Sequence, residues 1–202
     1  MEKECMYKLT YGLFVVSARK DKKQNGCITN TVMQVTTTPN CISVTINKDN
    51  FTHGLIKETG IFNVSVLSEK ADFSIFEQFG FKSGRDVEKL ETFDDFEVWD
   101  NGVFFVTRGV NAVICAEVIQ SVDLGTHTTF IAKVTDGWVM RKDNSVTYAY
   151  YLNNIKPKPQ PKKTEKTVWR CKICGYEYEG ENLPEDFICP ICKHGADDFE
   201  KV

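Results

Sequence analysis

Cys171 and Cys174, followed by Cys189 and Cys192, form two C-x-x-C pairs separated by 14 residues. At that spacing four thiolates can converge on one ion, and tetrahedral sulfur coordination selects iron or zinc. Residue types alone do not separate the two metals, because a structural zinc ribbon uses the same pairs. Residues 168–202 are too few to hold a core unaided, so a metal must supply much of their folding energy. Cys5, Cys41 and Cys115 have no such partner. Cys41 and Cys115 fall in strand patterns, where a thiol behaves as a small buried hydrophobe.

A second region with chemical potential is Asn47-Lys48-Asp49-Asn50-Phe51-Thr52-His53, which leads from a strand pattern into a helix pattern. Asn50 or Thr52 can cap that helix, and its free amides and positive dipole end suit a phosphate. A plain N-cap accounts for the same residues. Asn25-Gly26-Cys27-Ile28-Thr29-Asn30 reads as a turn feeding a polar strand, which serves either a surface hairpin or a ligand loop. His127 opens a strand pattern, where a lone histidine is usually structural. Neither the dinucleotide fingerprint G-x-G-x-x-G nor a Walker A loop occurs, so any nucleotide must be held another way.

The elements that must position these groups are mostly strands. Leu13–Ala18, Cys41–Ile46, Ile61–Leu67, Gly102–Thr107, Val110–Val118, Thr128–Val134 and Ser145–Leu152 are β-branched, aromatic or alternating. Helices are expected over Thr52–Thr59, stopping at Gly60, and over Glu69–Phe79, stopping at Gly80. Many strands without a βαβ rhythm point to a mainly β, antiparallel barrel.

The chain has 202 residues, 42% of them hydrophobic, and a net charge of −3. That charge argues against nucleic acid as the main partner. No apolar run approaches a membrane span, and residues 1–20 lack signal-peptide features, so a cytoplasmic chain is expected. Reduced thiols in that compartment favour metal binding over disulfides. Residues 156–166 carry five lysines, one glutamate and three prolines in the run K-P-K-P-Q-P-K-K and beyond. Residues 156–167 are therefore expected to be a stiff, solvated linker of polyproline type between a domain at 1–155 and a smaller one at 168–202.

Taken in order, several segments resemble the flavin reductase family, whose members are FMN-binding split barrels related to flavoredoxin. They are Tyr11–Val16, Asn25-Gly26 with Thr29-Asn30, Thr38-Pro39, Asn50–His53, Gly60–Val64, Ser83–Lys89 and Gly125–Thr128. The resemblance implies a homodimer with one FMN per subunit near the interface. It places Cys27, Ile28, Thr29, Asn30 and Thr31 along the isoalloxazine, and Asn47, Asn50, Phe51 and Thr52 on the ribityl chain and phosphate. His53 and His127 would sit beside the flavin, His127 facing an incoming nicotinamide, and Lys89 would meet the flavin's polar edge. Cys27 stands where the family varies, and Asn50 where a small hydroxyl residue is frequent.

The second domain resembles rubredoxin, a one-iron electron carrier. Cys171-x-x-Cys174-Gly175-Tyr176-x-Tyr178, Leu183-Pro184-x-Asp186-Phe187-x-Cys189-Pro190-x-Cys192 and Asp198-Phe199-Glu200 carry that likeness. The short spacer is nearer the module that ends rubrerythrins. Lys193-His194-Gly195 follows the fourth cysteine where rubredoxins place glycine, so either that turn is distorted or Lys193 takes an uncommon backbone conformation. His194 is a competing ligand only in principle.

The two domains together resemble the high-molecular-weight rubredoxins of anaerobic bacteria. That resemblance implies electron flow from NAD(P)H to FMN, then to iron held by Cys171, Cys174, Cys189 and Cys192, then to a diiron flavoprotein that reduces oxygen or nitric oxide. Flavin converts a hydride equivalent into single electrons, and no catalytic side chain is required. Two alternatives stay open: a free-flavin reductase with a structural zinc ribbon, and a non-enzymatic flavin-binding module.

Overall fold

A computed structural model describes residues 2–158 and 167–202. The chain divides into two compact units, Met1–Pro157 and Lys158–Val202. The linker expected at 156–167 lies largely outside the described residues.

The first unit is built on one antiparallel sheet of seven strands. In chain order they are β1 (Phe14–Lys20), β2 (Lys23–Thr29), β3 (Met33–Thr37), β4 (Asn40–Asn47), β5 (Ile61–Leu67), β8 (Val110–Asp123) and β9 (His127–Val139). Their order in space is β2-β1-β5-β8-β9-β4-β3. A separate short pair joins β6 (Phe96–Val98) to β7 (Phe104–Val106). The fold is thus the mainly β split barrel expected. Its curvature has a local cause: β8 and β9 shift register at Cys115/Ala116 and again at Val118/Gln120, and such bulges bend and twist a strand.

Apart from the exposed β3, the sheet divides its side chains between two cores. Val16, Ala18, Cys27, Val44, Ile46, Phe62, Val64 and Phe130 pack inside the barrel. There they meet Leu55 and Ile56 of α1 (Phe51–Thr59). Val15, Leu67, Phe104 and Val113 face the other way, under Ile75, Phe76 and Phe79. Burying side chains of this size contributes roughly 1.5–3 kcal/mol each, so the two layers together fix which strand face looks where.

Three expectations need correction. The helix expected from Glu69 begins only at Phe73, because the Asp72 side chain accepts from Ser74 N and caps it; α2 (Phe73–Phe76) then continues as a π-turn over Glu77–Phe81. The strand expected at Ser145–Leu152 is absent. Thr147 caps a helical turn instead, α3 (Tyr148–Tyr150), which runs on as a π-turn through Ile155. The turn expected at the start of Asn25–Asn30 lies earlier, at Asp21-Lys22, and Asn25 and Gly26 are already inside β2.

The second unit is a three-stranded sheet in the order β11-β10-β12, formed by β10 (Val168–Cys171), β11 (Glu177–Glu179) and β12 (Phe199–Lys201). Among its described residues the buried apolar ones are Cys171, Cys189 and Phe199, with Trp169, Tyr176, Tyr178, Leu183 and Phe187 packed around them. Two of the three are metal-ligand candidates, so the core is built around the cysteines.

Candidate flavin cleft and metal centre

The four cysteines of the second unit meet. All four sulfurs lie within 4.8 Å of one another, with Cys171 and Cys192 at 3.6 Å and Cys174 and Cys189 at 3.5 Å. Sulfurs held tetrahedrally about 2.3 Å from one metal stand about 3.8 Å apart, whereas a disulfide needs about 2.05 Å. The donor set therefore fits one ion, and it fits iron and zinc alike.

Two loops of the same shape present the ligands. Gly175 N donates to Cys171 O at 2.9 Å, and Lys193 N donates to Cys189 O at 3.0 Å. Cys171 N donates to Tyr176 O, and Cys189 N to His194 O, both at 2.8 Å. The backbone amides of Tyr176 and His194 reach the sulfurs of Cys174 and Cys192. Such N–H···S contacts favour the reduced, more negative form of a thiolate-bound metal. The second turn is undistorted because Lys193 adopts φ 62°, beside φ 74° at Gly175. His194 is exposed and bonds with its Nδ1 to the Cys192 carbonyl, outside the sulfur cluster.

In the first unit, the β4–α1 junction is held from several sides. Asn50 caps α1, its Oδ1 accepting from Thr52 N at 3.0 Å. Thr52 is buried and its Oγ1 accepts from Asn25 Nδ2 at 2.8 Å. A Cβ at Gly84 would collide with that Asn25 amide, so glycine lets the 83–86 turn press against it. The guanidinium of Arg85 lies 5.9 Å over the Phe51 ring.

Between these parts lies a cleft of about 310 Å³ lined by Asn47, Asp49, Asn50, Phe51, Phe79–Lys82, Ser83, Gly84 and Lys89. Lys89 is buried, and its ammonium donates to Gly26 O at 2.8 Å and Phe79 O at 3.2 Å. Burial is the main cause that lowers its pKa to about 8; the Cys27 thiol nearby acts the other way, and Lys82 adds to the lowering. Its hydrogen bonds to neutral carbonyls leave the charge uncompensated, which suits an anionic ligand. The lining thus fits a phosphate.

The other candidates divide. Cys27 is buried inside the barrel, close to Thr52, Asn50 and Lys89, and burial pushes its thiol pKa up. Thr29 and Thr31 share a hydroxyl contact at 2.7 Å, and Thr31 Oγ1 donates to Thr45 O at 2.6 Å, which ties the chain after β2 to β4. Asn47 pairs with His127 across β4 and β9, and the His127 ring contacts Thr126 Oγ1 at 2.9 Å. His53 is buried, with Nε2 2.9 Å from Thr128 Oγ1. Ile28 packs on the helical side near Gly80. Asn30 lines a different groove, with Tyr11, Thr147 and Tyr148. Sequence reasoning missed Lys82 and Gln78, although Lys82 follows the turn signal Phe79-Gly80-Phe81, and it read Asn25 only as part of a turn or ligand loop.

The family model described as flavin reductase like domain matches residues 6–157, three quarters of the chain. The chain belongs to the flavin reductase family. A second model, the rubredoxin-like domain of rubrerythrin, matches residues 169–200, so this flavin reductase carries a rubredoxin-like module in the same polypeptide. Among curated relatives, the high molecular weight rubredoxin of Moorella thermoacetica is 36% identical over all of both chains. A ferric-chelate reductase (NAD(P)H) from Archaeoglobus fulgidus is 38% identical over 75% of this chain and 89% of its own. An NADH:FAD oxidoreductase structure from Streptomyces globisporus superposes with a TM-score of 0.64 at 18% identity, covering 72% of this chain and 85% of that one. That last likeness speaks for the fold alone. Membership makes the chain a flavin-dependent oxidoreductase. Among the described residues, no helix is long and apolar enough to cross a membrane.

Proposed function

We propose that this chain takes electrons from NAD(P)H by way of FMN, passes them to an iron ion held by Cys171, Cys174, Cys189 and Cys192, and delivers them to a partner protein. The partner we favour is a diiron flavoprotein that reduces oxygen or nitric oxide. In this reading residues 1–155 bind flavin, 156–167 link, 168–202 carry the metal, and the protein works in the cytoplasm. The observation that carries it is the four-thiolate cluster within a chain whose larger unit is a flavin reductase domain. The relative in Moorella has the same extent and is called a rubredoxin.

The chain's own groups would act as holders. Asn50, Thr52 and Lys82 would fix the phosphate, joined by Lys89, which lines the same cleft and is reassigned here from the flavin's polar edge, with Asn47 and Phe51 along the ribityl chain. Cys27–Thr31 would bound the ring mostly by backbone, held in place by the Thr31–Thr45 contact. His53 and His127 would flank it, His127 on the side open to a nicotinamide. When bound, flavin supplies the exchange between electron pairs and single electrons, and thiolate-bound iron supplies a one-electron carrier.

A homodimer is supported by an apolar groove along Phe14, Met33, Ile42, Ile114, Val134 and Trp138. Met33 is 66% exposed and Val139 75%, an uncommon display for a monomer's sheet face. The test of the whole reading is the metal and flavin content of natively grown protein, followed by NAD(P)H-driven reduction of a purified diiron flavoprotein. Transfer that occurs with Cys171→Ser as fast as with the unaltered chain would refute the relay.

A further inference from the structure

Gln78 is buried in the π-turn after α2, and all of its amide is used. Its Nε2 donates to the Lys89 carbonyl and, at 3.1 Å, to Thr92 Oγ1. Its Oε1 accepts from Lys82 Nζ at 2.6 Å. Lys82 and Lys89 both line the 310 Å³ cleft beside the N-terminus of α1. One buried side chain thus touches the ammonium of the first lysine and the backbone of the second.

The chemistry of that contact matters. A free lysine on a surface turn loses up to about 2 kcal/mol of rotamer entropy when a ligand fixes it. An acceptor already holding its ammonium removes part of that cost before the ligand arrives. A glutamate at this place would hold the lysine too, but would cancel its charge. The neutral amide orients the cation and leaves it uncompensated. Asp49 also lines the cleft, as an exposed carboxylate, so two lysines leave a net positive charge there. The π-turn supplies the geometry: its wider winding sets Gln78 inward while Gly80 and Lys82 remain on the cleft wall, and single π-turns of this kind recur at functional sites.

We propose that Gln78 is a positioning residue for phosphate recognition: by holding Lys82 and the Lys89 backbone, it makes the cleft select FMN over riboflavin. The inference rests on the flavin assignment above, and it adds a specificity determinant that does not touch the ligand.

The test uses the full chain stripped of flavin and titrated with FMN and with riboflavin, read by quenching of flavin fluorescence. Gln78→Leu should weaken FMN about tenfold, as expected when the rotamer freedom of a phosphate-binding lysine is restored, while riboflavin changes less than about twofold. Lys82→Met should give the same loss, and the double variant should add little, because both changes remove one interaction. Gln78→Glu should also lower the FMN preference while keeping Lys82 in place. Equal weakening of both flavins in Gln78→Leu would show a merely structural residue and overturn the proposal. Should that variant not fold, Lys82→Met decides at the surface: an unchanged FMN-to-riboflavin ratio overturns it. Unaltered protein that binds neither flavin would instead overturn the flavin assignment on which the inference stands.

Discussion

Lys193 and Gly175 occupy equivalent places in the two metal-binding turns, at φ 62° and 74°, and each donates its N–H to the carbonyl four residues earlier. A side chain in the left-handed region costs about 1–2 kcal/mol relative to glycine. Lys193 bears that cost so that the amide of His194 can reach Cys192. Lys193→Gly is therefore expected to stabilise the metal-loaded module by about 1 kcal/mol, measured by denaturant unfolding followed at the metal–thiolate absorbance. A variant that unfolds earlier would mean that Lys193 makes a contact outweighing its strain.

The metal itself does more. With only Cys171, Cys189 and Phe199 buried among the described apolar residues of the second unit, Cys171→Ser is expected to unfold the β10–β12 sheet and to abolish electron delivery to a partner. Reduction of flavin by NAD(P)H should be spared. Amide hydrogen exchange confined to residues 167–202 would register the first effect and stopped-flow absorbance the second.

Lys89 gives the flavin cleft a pH signature. Its pKa is lowered to about 8 by burial, so the ammonium is present below that value and is lost above it. Affinity for FMN should fall as pH rises through about 8, and Lys89→Met should bind FMN at least tenfold more weakly with that dependence flattened. Bound phosphate would raise the pKa in the complex, so the fall begins at the free-protein value. Flavin titrations between pH 6 and 10 make the comparison.

His53 gives the fold an opposite one. Burial first, then Lys57 and Lys48, hold its pKa below the usual 6.5, with Asp123 acting the other way. The unfolded chain binds that proton more readily, so this group's contribution is intact above pH 6.5 and declines as pH falls below it. His53→Gln should flatten that part of the stability profile. Thr128→Val, which leaves the buried ring nitrogen without its partner, should cost about 1–2 kcal/mol in chemical denaturation.

How much of this was legible in the sequence depended on what each residue faces. Strands that bury one apolar face, such as β4 and β5, announced themselves by alternation. β2 did not, because its buried residues include Asn25 and Gly26, polar or small groups held by Thr52 and by the Phe79–Phe104 layer. β3 is exposed throughout and carries no pattern. Ser145–Leu152 alternates like a strand, yet the Thr147 hydroxyl accepts from Tyr150 N at 3.1 Å and starts a helical turn. The metal ligands were readable because one motif brings all four together locally. On the phosphate side of the cleft the α1 N-terminus and Lys89 were singled out, whereas Gln78 and Lys82 were not, since they join the site only through tertiary packing.

The most direct test is an anaerobic titration of the native protein with NADH while flavin and ferric–thiolate absorbances are followed together. The relay requires both chromophores to bleach, with about one and a half NADH consumed per chain for three electrons taken up. Iron that stays oxidised after the flavin has turned over many times, or protein that contains only zinc, would contradict it.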